Sequence, residues 1–92
     1  MPTYVVGYDL KKKLEKDYTT LFQAIQALGP TWRLLDSTWI VASQLNSQAI
    51  RDALLPHIHS DDKLLIAKTG KEAAWYGFPS QYNNWLIEKL SA

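Results

Sequence analysis

The chain has 92 residues, of which 47% are hydrophobic and 21% charged, and ten basic residues against nine acidic ones leave a formal charge of +1. This predicts one globular unit over residues 1–92 with a single core, and it offers no bulk charge to attract a polyanion or an anionic membrane. Cysteine is absent, which excludes disulfides, thiolate nucleophiles and Cys-bound zinc. No apolar run nears the roughly 18 residues of a membrane span and no signal-peptide pattern opens the chain, so a soluble cytoplasmic protein is expected.

Residues 3–9, TYVVGYD, are rich in β-branched and aromatic types and predict a first strand that stops at Asp9. A carboxylate at a strand end, followed by Lys11, Lys12 and Lys13, poses two readings. It is a loop acceptor for backbone hydrogen bonds, or it is a metal ligand beside a phosphate-attracting run. From Asp17 the period changes to helical, with Tyr18, Leu21, Phe22, Ile25 and Leu28 on one face and Gly29-Pro30 as the stop. TWRLL and TWIVAS, separated by Asp36-Ser37, predict a hairpin. Asn46 or Ser47 caps a second helix whose inner stripe is Ile50, Ala53, Leu54 and Ile58, and Pro56 ends or kinks it near Leu55. After Asp61-Asp62, KLLIAK reads as strand four. Thr69-Gly70-Lys71 then turns the chain into AAWYGF, residues 73–78, as a fifth strand, and Pro79-Ser80 opens a C-terminal helix over 79–92 that packs through Tyr82, Trp85, Leu86 and Leu90.

The order β-α-β-β-α-β, with an extra C-terminal strand and helix, predicts an α+β fold of the ferredoxin-like kind, an antiparallel sheet with two helices on one face. Alternate residues of a strand face opposite sides, and here both sides are apolar: Tyr4, Val6 and Tyr8 against Val5 and Gly7, Trp39 and Val41 against Ile40 and Ala42, Leu64 and Ile66 against Leu65 and Ala67. Two helices cover only one side. The other side calls for the C-terminal helix folded back, or for a second protomer in a twofold homodimer. The dimer is the favoured expectation, with Trp39, Trp75, Tyr76 and Phe78 at its interface, because aromatic side chains are enriched in subunit contacts.

The strand ending in Tyr8-Asp9, the segment LLDSTWIV and the strand introduced by DDKLLI resemble the small CRISPR-associated protein that partners the spacer integrase. The segments STWIV, IRDALLPHI, DDKLLI and AAWYGF are more closely similar to compact bacterial proteins of the SinR family, and the likeness spans residues 3–78. The resemblance implies a ferredoxin-like protomer that dimerises through its sheets, often with the last strand joining the partner's sheet, and an association with RNA or DNA in bacterial defence. It further implies a metal-dependent nuclease in which Asp9 of each protomer approaches the dimer axis. Asp9 is then catalytic and, with its symmetry mate, holds Mg or Mn to activate a water against a phosphodiester.

In that reading Lys11, Lys12 and Lys13 with Lys16 line a phosphate path that Arg33 extends. The family usually follows its acid with arginines, whereas lysine meets phosphate as a point charge. The same lysines, interleaved with Glu15 and Asp17, also read as a solvated face. One carboxylate per chain is a sparse metal site and no general base stands near it in sequence. The alternative is a non-catalytic dimeric adaptor or antitoxin-like interaction protein. A third reading, a single-strand binder of the RNA-recognition type, lacks the basic-Gly-aromatic-Gly-aromatic pattern in TWIVAS. His57 and His59 have no further ligands for zinc, and Ser37 and Thr38 have no paired base for nucleophilic catalysis.

Overall fold

The computed structural model describes residues 1–12 and 18–91. Among these, the chain forms four strands, β1 (Thr3–Asp9), β2 (Thr31–Leu35), β3 (Thr38–Ala42) and β4 (Lys63–Lys68), and three α-helices, α1 (Thr19–Gln26), α2 (Ser47–Leu54) and α3 (Asn83–Leu86). The strands make one antiparallel sheet in the order β2-β3-β1-β4. β1 therefore runs parallel to β2 with β3 between them, and β3 parallel to β4 with β1 between them. Each of α1 and α2 carries a crossover that skips one strand.

The helical periods read from the sequence place the inner core. Leu21 and Ile25 of α1 and Ile50 and Leu54 of α2 are fully buried against Tyr4, Val6, Trp39 and Val41, with Tyr18 closing the start of α1. α2 begins where Asn46 accepts a hydrogen bond from the Ala49 N–H at 2.8 Å, satisfying one of the free donors of a helix N-terminus. It gives way after Leu54 to a 3₁₀ turn, Leu55–His57, because Pro56 has no N–H to continue the ladder. Ala53, read as part of the inner stripe, is exposed instead, since it stands about 60° around the helix from Ile50 and about 100° from Leu54, off the edge of the buried stripe.

The second, outer face of the sheet has a cover of its own. Ile40 is buried there beneath Leu86 and Leu90, with Trp32, Leu34, Val5, Trp75, Phe78 and Trp85 packed around them. The terminal segment runs as a 3₁₀ turn (Ser80–Tyr82), then α3, then a π-helical turn (Ile87–Ser91). Of the two covers weighed from sequence, the chain's own terminal helix thus lies over β2 and β3, and that part of the face is closed to a twofold contact.

Two expectations change with it. Residues 73–78 form no fifth strand: Trp75 and Phe78 turn their rings onto the outer cluster, where Phe78 meets Trp32 edge-on at 5.4 Å. Gly77, at φ 93°, also takes a backbone conformation that no regular strand contains. Trp39, expected at a subunit interface, is 4% exposed on the inner face. Its ring stacks on Phe22 at 6.0 Å and its Nε1 donates to the Tyr8 hydroxyl at 2.9 Å, so its own chain uses the surface a partner would need.

Candidate functional site

Beyond the terminal segment, the outer face stays open where the end of β1 lies between the starts of β3 and β4. Register puts Gly7 of the central strand between Thr38 and Leu65, and Asp9 beside Lys63. Because Gly7 carries no side chain, its neighbours stand as the walls of a dent. The concavity is about 340 Å³, lined by Gly7, Asp9, Ser37, Thr38, Lys63 and Leu65 among others. Leu65 is 64% exposed on one wall. The other wall is held by the hairpin turn, through a hydrogen bond from Tyr8 N to the Ser37 carbonyl at 3.1 Å.

Asp9 stands at the strand end as expected, with its side chain 60% exposed. The nearest charge is the Lys11 ammonium, 3.5 Å from Oδ2. Lys63 is its cross-strand neighbour. A lone carboxylate already facing cations is a poor donor set for Mg or Mn, which prefer several oxygen ligands. Among the described residues no group of three or more His, Cys, Asp or Glu side chains could hold a metal ion. Among the described residues, the donor set at Asp9 does not supply the several oxygen ligands that the metal centre implied by the resemblance would need.

Among the described residues, Arg33 does not share a path with Lys11 and Lys12. Lys11 and Lys12 are exposed beyond the end of β1, and Lys13 and Lys16 lie outside the described residues. Arg33 is on the inner side of the sheet, with its guanidinium 4.7 Å from the Phe22 ring centroid and 5.9 Å from that of Trp39. Its Nε and Nη2 donate to the Asp36 carbonyl at 3.0 and 2.7 Å, so it braces the β2–β3 hairpin on the opposite face from Asp9. Of the remaining aromatics expected at an interface, Trp75 and Phe78 are half-buried in the outer cluster, and Tyr76 is 96% exposed in the loop between them.

A residue that sequence reasoning passed over as a polar break, Asp62, ties this end of the molecule together. Its Oδ1 accepts from Lys11 N at 2.8 Å and from the Tyr18 hydroxyl at 2.9 Å, and its Oδ2 accepts from His59 N at 2.8 Å. The Tyr18 oxygen in turn accepts from Lys12 N at 3.0 Å, and the His59 ring meets the Tyr18 ring edge-on at 5.4 Å. Desolvation alone raises the Asp62 carboxyl, but the hydrogen bonds from Lys11, His59 and Tyr18, with the nearby His59 charge, outweigh it and hold the group below the ordinary carboxylate value. Tyr18 and Asp62 are 44 residues apart, so no local pattern announces their contact.

A depressed carboxyl contributes stability that is present above its unfolded value and lost as pH falls through its folded value. Asp62→Ala is therefore expected to cost about 2 kcal/mol at neutral pH, from three bonds to a partly exposed carboxylate. In urea unfolding the gap to the unmodified protein should narrow as the pH is lowered below the ordinary carboxylate range. A gap that is constant with pH would show that the carboxylate charge has no part in the effect.

No family model matches the chain, and searches of curated proteins and of solved structures find no match either. Among the described residues no helix is long and apolar enough to cross a membrane. The functional reading therefore rests on the geometry of this face.

Proposed function

We propose that the protein is a non-catalytic homodimeric interaction module, the alternative to the nuclease that its resemblance to small CRISPR-associated and SinR-family proteins implies, built on the ferredoxin-like protomer of that resemblance. Two copies meet through the open part of the outer face around Gly7 and Leu65. The strand order β2-β3-β1-β4 with two skipping crossovers supports the fold.

The observation that carries the assembly is Gly7. A glycine inside a strand costs about 0.5–1 kcal/mol relative to alanine. The described residues give no reason for it: Gly7 is not among those with positive φ, and of them a Cβ at this position would meet only the Ser37 carbonyl oxygen, at an ordinary 3.9 Å. A strand glycine with room for a side chain suits the close approach of another backbone from outside. The rim is also suited to a twofold contact, which must be complementary to itself, because it carries both Asp9 and Lys63.

Sedimentation equilibrium over a concentration series tests this. The unmodified chain should associate to a dimer, while Gly7→Val should remain a monomer with its thermal midpoint kept. Leu65→Glu, on an exposed wall, provides an independent variant should valine disturb the strand. An unmodified chain that stays monomeric at high concentration, or a Leu65→Glu variant that still dimerises fully, would sink the proposal.

A second reading, association with RNA or DNA, is favoured by Lys11, Lys12 and Lys63 gathering at the same end of the sheet. It requires binding that weakens with salt and with Lys11→Ala and Lys12→Ala. Under the interaction reading, divalent-dependent cleavage is absent, and Asp9→Asn weakens the dimer by removing one of the two opposite charges on the rim.

A further inference from the structure

Tyr76, at 96%, is the most exposed of the large hydrophobic side chains among the described residues. It belongs to the irregular stretch between β4 and the terminal segment, and the aromatics on either side of it are anchored: Trp75 and Phe78 pack on the outer cluster, where the Phe78 ring meets Trp32 edge-on. In a regular strand Trp75 and Phe78 would face opposite sides. Gly77, at φ 93°, lets the chain turn so that both rings reach the sheet, and Tyr76 is left directed away from it. Because both anchors lie on the outer face, the phenol is a knob on that side of the molecule. Its backbone is tethered before and after it, which limits the freedom it has to lose on binding.

The same side carries the dent at Gly7. The outer face is thus stepped, raised where the terminal segment covers β2 and β3 and low where β1 and β4 end at the dent. A twofold axis parallel to the sheet and midway between knob and dent brings each copy's knob to the other copy's dent, and sets each cover over the other's open part. At about 340 Å³ the dent is near the lower end of the roughly 300–1,000 Å³ of small-ligand sites, so it takes a side chain rather than a helix or strand. Its lining suits a phenol. Leu65 and the bare backbone of Gly7 offer apolar contact to the ring, while Asp9, 60% exposed, and Thr38 supply acceptors for the hydroxyl.

We propose that each protomer's Tyr76 enters the partner's Gly7 dent, so that the two copies are joined by a reciprocal pair of aromatic knobs. This rests on the dimer proposed above and names the side chain that fills its central hollow. A tyrosine is suited to the role, because an aromatic anchor in a pocket carries a large share of the energy of a protein contact.

The test is sedimentation equilibrium of the full chain as Tyr76→Ala, as Gly7→Val and as an equimolar mixture of the two. Tyr76→Ala keeps the dent and loses the knob, whereas Gly7→Val keeps the knob and fills the dent. Each alone should dimerise at least about tenfold more weakly than the unmodified chain. The mixture should associate about threefold or more tightly than either, because a mixed pair regains one of the two contacts. Tyr76 is open to solvent in the protomer, so Tyr76→Ala should keep its thermal midpoint, and Leu65→Glu replaces Gly7→Val in the mixture should valine disturb the strand. A Tyr76→Ala chain that dimerises as tightly as the original, or a mixture no tighter than its components, overturns the knob while the dimer stands. An unmodified chain that stays monomeric overturns the dimer and the knob together.

Discussion

A Gly29→Ala variant is expected to lose about 3 kcal/mol or more of stability, from backbone strain and overpacking acting together. Gly29 leaves α1 at φ 150°, and an added Cβ would overlap the Ala42 carbonyl oxygen. That carbonyl cannot easily retreat. Ala42 N donates to the Pro30 carbonyl at 2.9 Å, the next residue's N–H donates to the Pro2 carbonyl at 3.0 Å, and Ala42 itself is buried in the sheet. Against a total stability of about 5–15 kcal/mol for a small domain, the loss should be plain in urea unfolding. Gly70→Ala is the control, because nothing lies within 4 Å of its added Cβ and its φ is not positive. It should stay within about 0.5 kcal/mol of the unmodified chain. A Gly29→Ala midpoint close to that of the control would contradict the described approach of the two backbones.

The same glycine shows what was legible in the sequence. Gly29-Pro30 reads as a helix stop from residue type alone, and the inner stripe of Leu21, Ile25, Ile50 and Leu54 follows from helical spacing, because both depend on neighbours a few residues away. The order of the elements was legible for the same reason, as was the existence of two apolar faces.

What lies against each face depends on distant contacts. Trp39 has the aromatic character of an interface residue, yet strand alternation groups it with Val41, on the side that the helices cover. AAWYGF has the composition of a strand, yet Gly77 and the pull of Trp32 on Phe78 take it out of the sheet. Asp62 reads as a loop residue because two of its three partners, Lys11 and Tyr18, reach it only in the folded chain. Asp9 stands at the end of β1, as its place in the sequence indicates, but its partner Lys11 is two residues along and points back to it.

The cover on the outer face is the point at which packing and assembly compete, and Leu86 is the residue that tests it. Its side chain is fully buried against Ile40 with no surface left to solvent, so Leu86→Ala should cost about 2–4 kcal/mol through lost burial and the cavity left behind. Loosening this segment bares Ile40, Val5, Leu34 and the ring of Trp32, an apolar strip continuous with the open surface at Gly7 across β1. Such a strip recruits another surface or aggregates. The variant should therefore show both a lower urea midpoint and greater association with concentration than the unmodified chain, along with new binding of an apolar dye. Combining it with Leu65→Glu separates the two surfaces: the pair should keep the loss in stability but lose the ordered dimer. A Leu86→Ala protein as stable as the original would mean that the terminal helix does not hold the face, and the strip would then be free for a partner over its whole width.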